Sequence, residues 1–275
     1  AEKSALERGR QIWKEYYTIT HERLKSNNNM RKQLKKYMPG FVKRALYKAG
    51  IINRYTPKPG HARMGDLKRV TPFSTQFGYD RGGPVDRVYI EAFLQRNEAL
   101  VHGKVLEIGD NDYTLKYGGQ KLEKSDILHV DEKNPNATII GDLSNAPQIK
   151  DNEYDCIILT QTLHLIYDFK AAIRTCYRVL KPGGTLLMTV PGITHIDQGE
   201  WKNIWLWAFT GSSVNKILQE VFPSQNIEVK THGNVLVATA FLYGMGQGEI
   251  DKKDYEYNDP HYQLIITAKA VKPAL

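Results

Sequence analysis

His195 stands four residues after Pro191 and two before Asp197, in the run Pro191-Gly192-Ile193-Thr194-His195-Ile196-Asp197. A carboxylate at that spacing can orient an imidazole, and an oriented neutral imidazole is a general base suited to neutral pH. His164 follows Thr160-Gln161-Thr162-Leu163 and offers the same chemistry without a partner nearby in the chain. Packing within a loop is the competing reading for His164 and simple solvation of a loop pair that for His195 and Asp197, while His232, in Thr231-His232-Gly233-Asn234, reads as structural. Two carboxylates suggest recognition instead. Asp131 closes DILHVD and Asp142 lies in Gly141-Asp142-Leu143. One carboxylate can accept both hydroxyls of a ribose diol, and another can accept the amino proton of a purine, so the pair outlines a nucleoside pocket; helix N-capping is the alternative role for each. No His, Cys, Asp or Glu set has metal-ligand spacing, and Cys156 and Cys176 lie in apolar-patterned segments, as buried thiols do.

Short apolar runs must position these groups. Lys104–Gly109, Asp126–Asp131, Ala137–Leu143, Tyr154–Thr160 and Thr185–Val190 are brief, rich in β-branched residues and apolar on both faces, the pattern of buried parallel strands. Between the last two, Phe169, Ala172, Ile173, Cys176 and Val179 form a helical stripe over Asp168–Leu180, closed by a Lys181-Pro182-Gly183-Gly184 turn. This is a βαβ unit, and it predicts an α/β, doubly wound fold. A further helix pattern (Val85, Val88, Tyr89, Ala92, Phe93) begins near Pro84. Ligands of open parallel sheets bind beyond the carboxyl ends of the strands. There stand Glu107 and Gly109, Asp131, Asp142 and Leu143, and Thr160 and Gln161.

From Val101 to Val190 the ordered segments V-L-E-I-G, H-V-D, G-D-L, Y-D-C-I-I-L-T-Q-T-L and R-V-L-K-P-G-G-T-L resemble the class I S-adenosylmethionine-dependent methyltransferases. The resemblance implies a Rossmann-like, seven-stranded methyltransferase sheet ending in Ile227–Thr231 and a reversed Tyr262–Ala270. It implies S-adenosyl-L-methionine as cofactor, with Gly109 beneath it, Glu107 near its amino end, Asp131 at the ribose, Asp142 and Leu143 at the adenine, and Thr160 and Gln161 beside them. His195, oriented by Asp197, is the first choice of base and His164 the second. The chain departs from the family after Gly109, where Asp110-Asn111-Asp112 replaces a second glycine and the helix before the second strand must be very short or absent. The segments GGPVDRVYIEAFL, ILTQTLHLIYD and HGNVLVATAFL resemble type 11-like proteins of bacterial surface-polysaccharide synthesis, which implies O-methylation of a sugar or glycan acceptor. Trp201, Trp205 and Trp207, with Tyr167, read as core packing, with a sugar-stacking surface or lid as the alternative.

Charge divides the chain: residues 1–70 hold 18 Lys/Arg against 5 Asp/Glu, and the remainder 20 against 25. Residues 1–54 read as a basic helical N-terminal extension, with helical spacing in Leu6, Trp13, Tyr17 and Leu24, in Met30, Leu34 and Met38, and over Phe41–Ala49 before Gly50. Residues 55–83, rich in Pro and Gly, read as a linker or draped loop, and residues 84–275 as the methyltransferase domain. The arm's charge points to an anionic membrane surface met by residues 1–50, or to a solvated helical appendage. It carries no RNA-recognition or helix-turn-helix signature, so nucleic acid is not the expected partner. An RNA or protein methyltransferase and a non-catalytic scaffold are the alternative functions. No apolar run approaches the ~18–20 residues of a membrane span, so a cytoplasmic protein, peripheral to the inner face of the membrane, is expected. Residue 1 is Ala, pointing to processing or a longer parent polypeptide, and the oligomeric state is left open.

Overall fold

The structure is a computed structural model that describes residues 38–49, 51 and 55–274. The chain divides into two units, Ala1–Lys68 and Arg69–Leu275. In the first, helix α1 (Gly40–Lys48) follows Pro39 and buries no residue. It starts one residue before the expected Phe41. The helix expected over Leu6 to Leu24, that expected over Met30 to Met38 except for Met38, which is a bend, and Gly50 itself lie outside the described residues.

The second unit is built on a seven-stranded sheet of β1 (Gly103–Ile108), β2 (Leu122–His129), β3 (Ile139–Ile140), β4 (Tyr154–Thr160), β5 (Leu180–Pro191), β6 (Ile227–His232) and β7 (Ile265–Val271). Their order is β3-β2-β1-β4-β5-β7-β6. The first five strands are parallel, and β7 runs antiparallel to both β5 and β6. This is the doubly wound sheet that the sequence predicts, with the reversed last strand that the resemblance implies.

Both faces of the central strands are covered, which is why they read as continuous apolar runs rather than alternating ones. Along β4, Ile157 and Leu159 point into one core with α4 (Phe169–Val179) and α5 (Gly211–Gln219). Cys156 and Ile158 point into the other with α2 (Arg87–Arg96), α3 (Asp112–Gly118), α6 (Val235–Leu242) and α7 (Lys252–Glu256). Both cysteines are buried free thiols.

Several element boundaries differ from the sequence pattern for local reasons. β3 keeps only two residues of Ala137–Leu143. It is an edge strand, and the Thr138 side chain rather than its backbone accepts the Ile127 N–H, at 2.9 Å. β2 stops at His129, leaving Asp131 two residues past its end. Lys181-Pro182-Gly183-Gly184 lies inside β5 as an irregularity, with Leu180 opposite Tyr154 and Thr185 opposite Cys156, and Gly183 at φ +83° takes up the extra chain. Pro84 pairs with Gly246 in an isolated bridge, so α2 begins at Arg87 instead of near Pro84. The helix after β1 is short, seven residues, as the interval before β2 requires.

Asn234 locks α6 in place. Its buried side chain accepts the N–H groups of Leu236 and Val237, both at 3.0 Å, and donates to the carbonyls of Asp254 and Tyr257 at 2.7 and 2.8 Å. Asn234→Ala removes a helix cap and orphans two carbonyls. It should lower the unfolding free energy by about 2–3 kcal/mol in chemical denaturation. A loss below about 0.5 kcal/mol would show that α6 is held by packing alone.

Candidate active site

Loops at the carboxyl ends of β1, β2, β4 and β5, together with the segment after β3, enclose a cleft of about 840 Å³. The loop after β1 is fixed from several sides. Glu107, 1% exposed, accepts the Thr114 N–H at 2.7 Å and so anchors the start of α3. Burial pushes its carboxyl up to about 8, and the nearby Asp110 charge pushes the same way. Glu107 therefore lies beneath the loop and does not line the cleft. Gly109 does line it: its N–H donates to Leu128, its carbonyl accepts from Asn134 Nδ2 at 2.6 Å, and it sits at φ +95°. Nothing stands within 4 Å of where a Cβ would be, so the missing side chain leaves open space over the backbone.

Asp142, Leu143, Thr160 and Gln161 all line the cleft, as the sequence expects. Asp142 Oδ1 accepts the Ser144 N–H at 2.8 Å. Gln161 holds a left-handed backbone (φ +47°), which costs of order 1–3 kcal/mol in a non-glycine residue. Two bonds to the buried Thr189 hold it there: backbone N–H to carbonyl at 2.9 Å and Nε2 to hydroxyl at 3.1 Å. Asp131 is not brought into this group. Its carboxylate accepts the Lys133 N–H at 3.0 Å and pairs with Lys133 Nζ and His129 Nδ1, both at 3.2 Å, and the Lys133 bonds lead in holding it below the usual carboxylate range. The cleft wall after β2 is His129 and Val130.

Of the two candidate bases, His164 lines the cleft and His195 does not. His164 is 2% exposed, lines the cleft, and meets Trp205 edge-on with 4.5 Å between ring centroids. Both its ring nitrogens and Trp205 Nε1 are buried without a hydrogen-bond partner. Burial holds the His164 imidazole down at about 4. His195 instead stacks on Phe77 at 4.0 Å and does not line the cleft. Its expected partner is occupied elsewhere: Asp197 accepts the N–H groups of Gly199 and Trp201, at 3.0 and 2.9 Å. Of the tryptophans, Trp201 and Trp205 line the cleft, while Trp207 packs on a core.

Sequence reasoning missed part of the site. Phe77, in the segment expected to be a linker, stacks on Trp205 and lies 6.1 Å from Phe241 on α6, and all three line the cleft. Asp86, Arg87, Tyr79 and Tyr113 line it too. The Arg87 guanidinium donates to Tyr113 at 2.8 Å and Tyr79 at 3.0 Å. The available signal was an Asp-Arg pair at the head of an otherwise amphipathic helix. Among the described residues, no group of three or more His, Cys, Asp or Glu is placed to hold a metal ion.

Residues 98–188 match the methyltransferase domain family. Over 86 residues the chain is 38% identical to the ubiquinone/menaquinone biosynthesis C-methyltransferase UbiE of Klebsiella pneumoniae, a stretch covering 31% of this chain and 32% of that protein. The chain thus aligns with about a third of the length of the curated relatives it matches. Among solved structures, a SAM-dependent methyltransferase from Archaeoglobus fulgidus is 11% identical, with 68% of this chain and 94% of that chain covered and a TM-score of 0.46. The [4+2]-cyclase SpnF is 17% identical, with 69% and 82% covered and a TM-score of 0.47. The family match runs from before β1 into β5, and residues 98–188 are similar to a methyltransferase domain, carried on a seven-stranded sheet with a reversed last strand.

Proposed function

We propose that the chain transfers a methyl group from S-adenosyl-L-methionine to a hydroxyl oxygen of a sugar or glycan acceptor. The observation that carries this reading is the buried, unpartnered polar set in the cleft wall: Trp205 Nε1 and the two ring nitrogens of His164. An indole N–H donates to an oxygen, and a neutral imidazole nitrogen accepts a proton. A single bound hydroxyl can accept from the indole N–H and donate to one imidazole nitrogen, which relieves two of the three unpaired atoms.

The cofactor half of the cleft fits a nucleoside thioether. Gly109 leaves open space over its backbone, Asp142 and Leu143 offer an acceptor and an apolar edge to adenine, and Thr160 and Gln161 form the wall beside them. When bound, the cofactor supplies an electrophilic methyl on a sulfonium sulfur. His164 holds the acceptor hydroxyl and takes its proton as the oxygen gains the methyl, Trp205 orients that oxygen, and the aromatic walls exclude water. Phe77, Trp205 and Phe241 present flat faces suited to the C–H face of a sugar ring. The near-parallel pair Phe77 and Trp205, 10° apart in plane, also favours a second reading, a planar aromatic acceptor methylated on carbon. Transfer of labelled methyl onto a panel of sugars, glycan fragments, quinol-type rings, RNA and peptides separates these readings. No transfer to any of them would leave the scaffold.

The basic arm supports a membrane-peripheral role at the inner face. In α1, Phe41 is 77% exposed beside Lys43, Arg44 and Lys48, a composition that suits an anionic interface. The intact chain should bind anionic vesicles with an affinity that falls steeply with salt, and removal of residues 1–50 should abolish that binding while cofactor binding persists. Vesicle binding that survives the truncation would place the contact elsewhere.

S-adenosylhomocysteine should bind in calorimetry. Asp142→Asn should weaken it about 10-fold or more, whereas Asp131→Asn should change it less than about threefold, because the Asp131 carboxylate is committed to Lys133 and His129. The opposite ranking would return the nucleoside contact to Asp131.

His164→Gln should lower kcat by roughly 10²–10⁴ with the S-adenosylhomocysteine Kd unchanged. With its imidazole held at about 4, His164 stays neutral and able to accept a proton as pH falls through the ordinary histidine range. The rate should therefore stay flat down to about pH 5 and fall only below it, as protonation removes the acceptor. A descending limb centred near pH 6.5 would assign the base elsewhere.

A further inference from the structure

The methionine end of the cofactor is a zwitterion, and the loop after β1 offers it little: one glycine, then Asp110, with Glu107 turned under α3. Beside that loop the cleft is lined by a carboxyl and a guanidinium of neighbouring residues, Asp86 and Arg87, that feel each other's charge without closing into an ion pair. Asp86 is 8% exposed, and its Oδ1 has no hydrogen-bond partner. Burial pushes its carboxyl above the usual carboxylate range. The Arg87 guanidinium is held by two neutral phenols, Tyr113 on α3 and Tyr79, and no carboxylate of the described residues forms an ion pair with it. Buried groups of this kind are costly unless they are hydrogen-bonded to a partner of opposite charge. Collapse onto each other would match them, yet no ion pair joins the two. Tyr79 and Tyr113 hold the guanidinium in position while leaving its other N–H groups free to donate.

We propose that Asp86 and Arg87 are the receptor for the cofactor's amino acid end, Arg87 taking the α-carboxylate and Asp86 the α-ammonium. This rests on the reading that the cleft takes S-adenosylmethionine. A zwitterion supplies a direct ionic partner to each group at once, and the guanidinium geometry suits a carboxylate. Tyr113 ties the pair to α3, so the helix that begins just after Gly109 also sets the position of the receptor. The pair takes over the amino acid end that a second glycine in the first motif would otherwise approach.

Calorimetry on the 275-residue chain with three ligands tests this. S-adenosylhomocysteine carries both charges, S-adenosyl-3-thiopropylamine lacks only the carboxylate, and 5′-methylthioadenosine lacks both. Arg87→Gln should weaken S-adenosylhomocysteine about 10–100-fold and the amine less than about threefold. Asp86→Asn should weaken both amine-bearing ligands by about 10-fold or more and spare methylthioadenosine, whose binding also shows that each variant's cleft is folded. Arg87→Lys, which keeps the charge without the fork, should fall between wild type and Arg87→Gln for S-adenosylhomocysteine. Equal losses on all three ligands, or no loss on S-adenosylhomocysteine, would overturn the assignment. A wild-type chain that binds none of the three would overturn the cofactor reading itself.

Discussion

A carboxyl group buried on a central strand shapes the cleft. Glu107 sits on β1 between β2 and β4, almost without solvent, and accepts an N–H from the first turn of α3, that of Thr114. That bond sets where the chain turns after Gly109, and with it the floor of the cleft. Asn134 holds the Gly109 carbonyl from the β2–β3 connection, and the Asn111 side chain reaches Ser125 on β2 at 3.0 Å. Through Tyr113, α3 also fixes Arg87, so a carboxyl that never touches the cleft governs two of its walls.

The electrostatics of the cleft follow from what is buried without a match. In a low-dielectric site an unpaired polar atom is costly, and a ligand that satisfies it recovers that free energy. The unpaired set lining the cleft is chemically specific: an indole N–H and a neutral imidazole at one wall and a carboxyl oxygen of Asp86 at another, beside a guanidinium held by two phenols. Folding alone would favour pairing them within the protein. Their persistence in one cleft, along with Gln161 in a left-handed backbone, marks where stability has been given up for recognition.

The sheet and the strand-end edge of the cleft were legible in the sequence because burial on both faces leaves a direct imprint: β4 coincides with the expected run, and Asp142, Leu143, Thr160 and Gln161 line the cleft near strand ends. What was not legible depends on how loops close. Asp131 has the right residue type at the expected distance, but its turn delivers the backbone and ammonium of Lys133 to the carboxylate, which no spacing rule records. His195 and Asp197 are close in sequence, yet the turn at Gly199 and Trp201 takes up the aspartate. Phe77 lay in a stretch rich in glycine and proline that reads as a linker, and its stacking on Trp205 links residues more than a hundred positions apart. Asp86 and Arg87 looked like the polar start of an amphipathic helix, and only the tertiary structure shows that this end opens into the cleft.

The most direct test of the account is a crystal structure of the chain with S-adenosylhomocysteine. The account predicts adenine at Asp142 and Leu143, the thioether over Gly109, the amino acid end between Asp86 and Arg87, and His164 and Trp205 facing the open remainder of the cleft. A chain saturated with the ligand that holds it outside this cleft, or that takes up none, would contradict it.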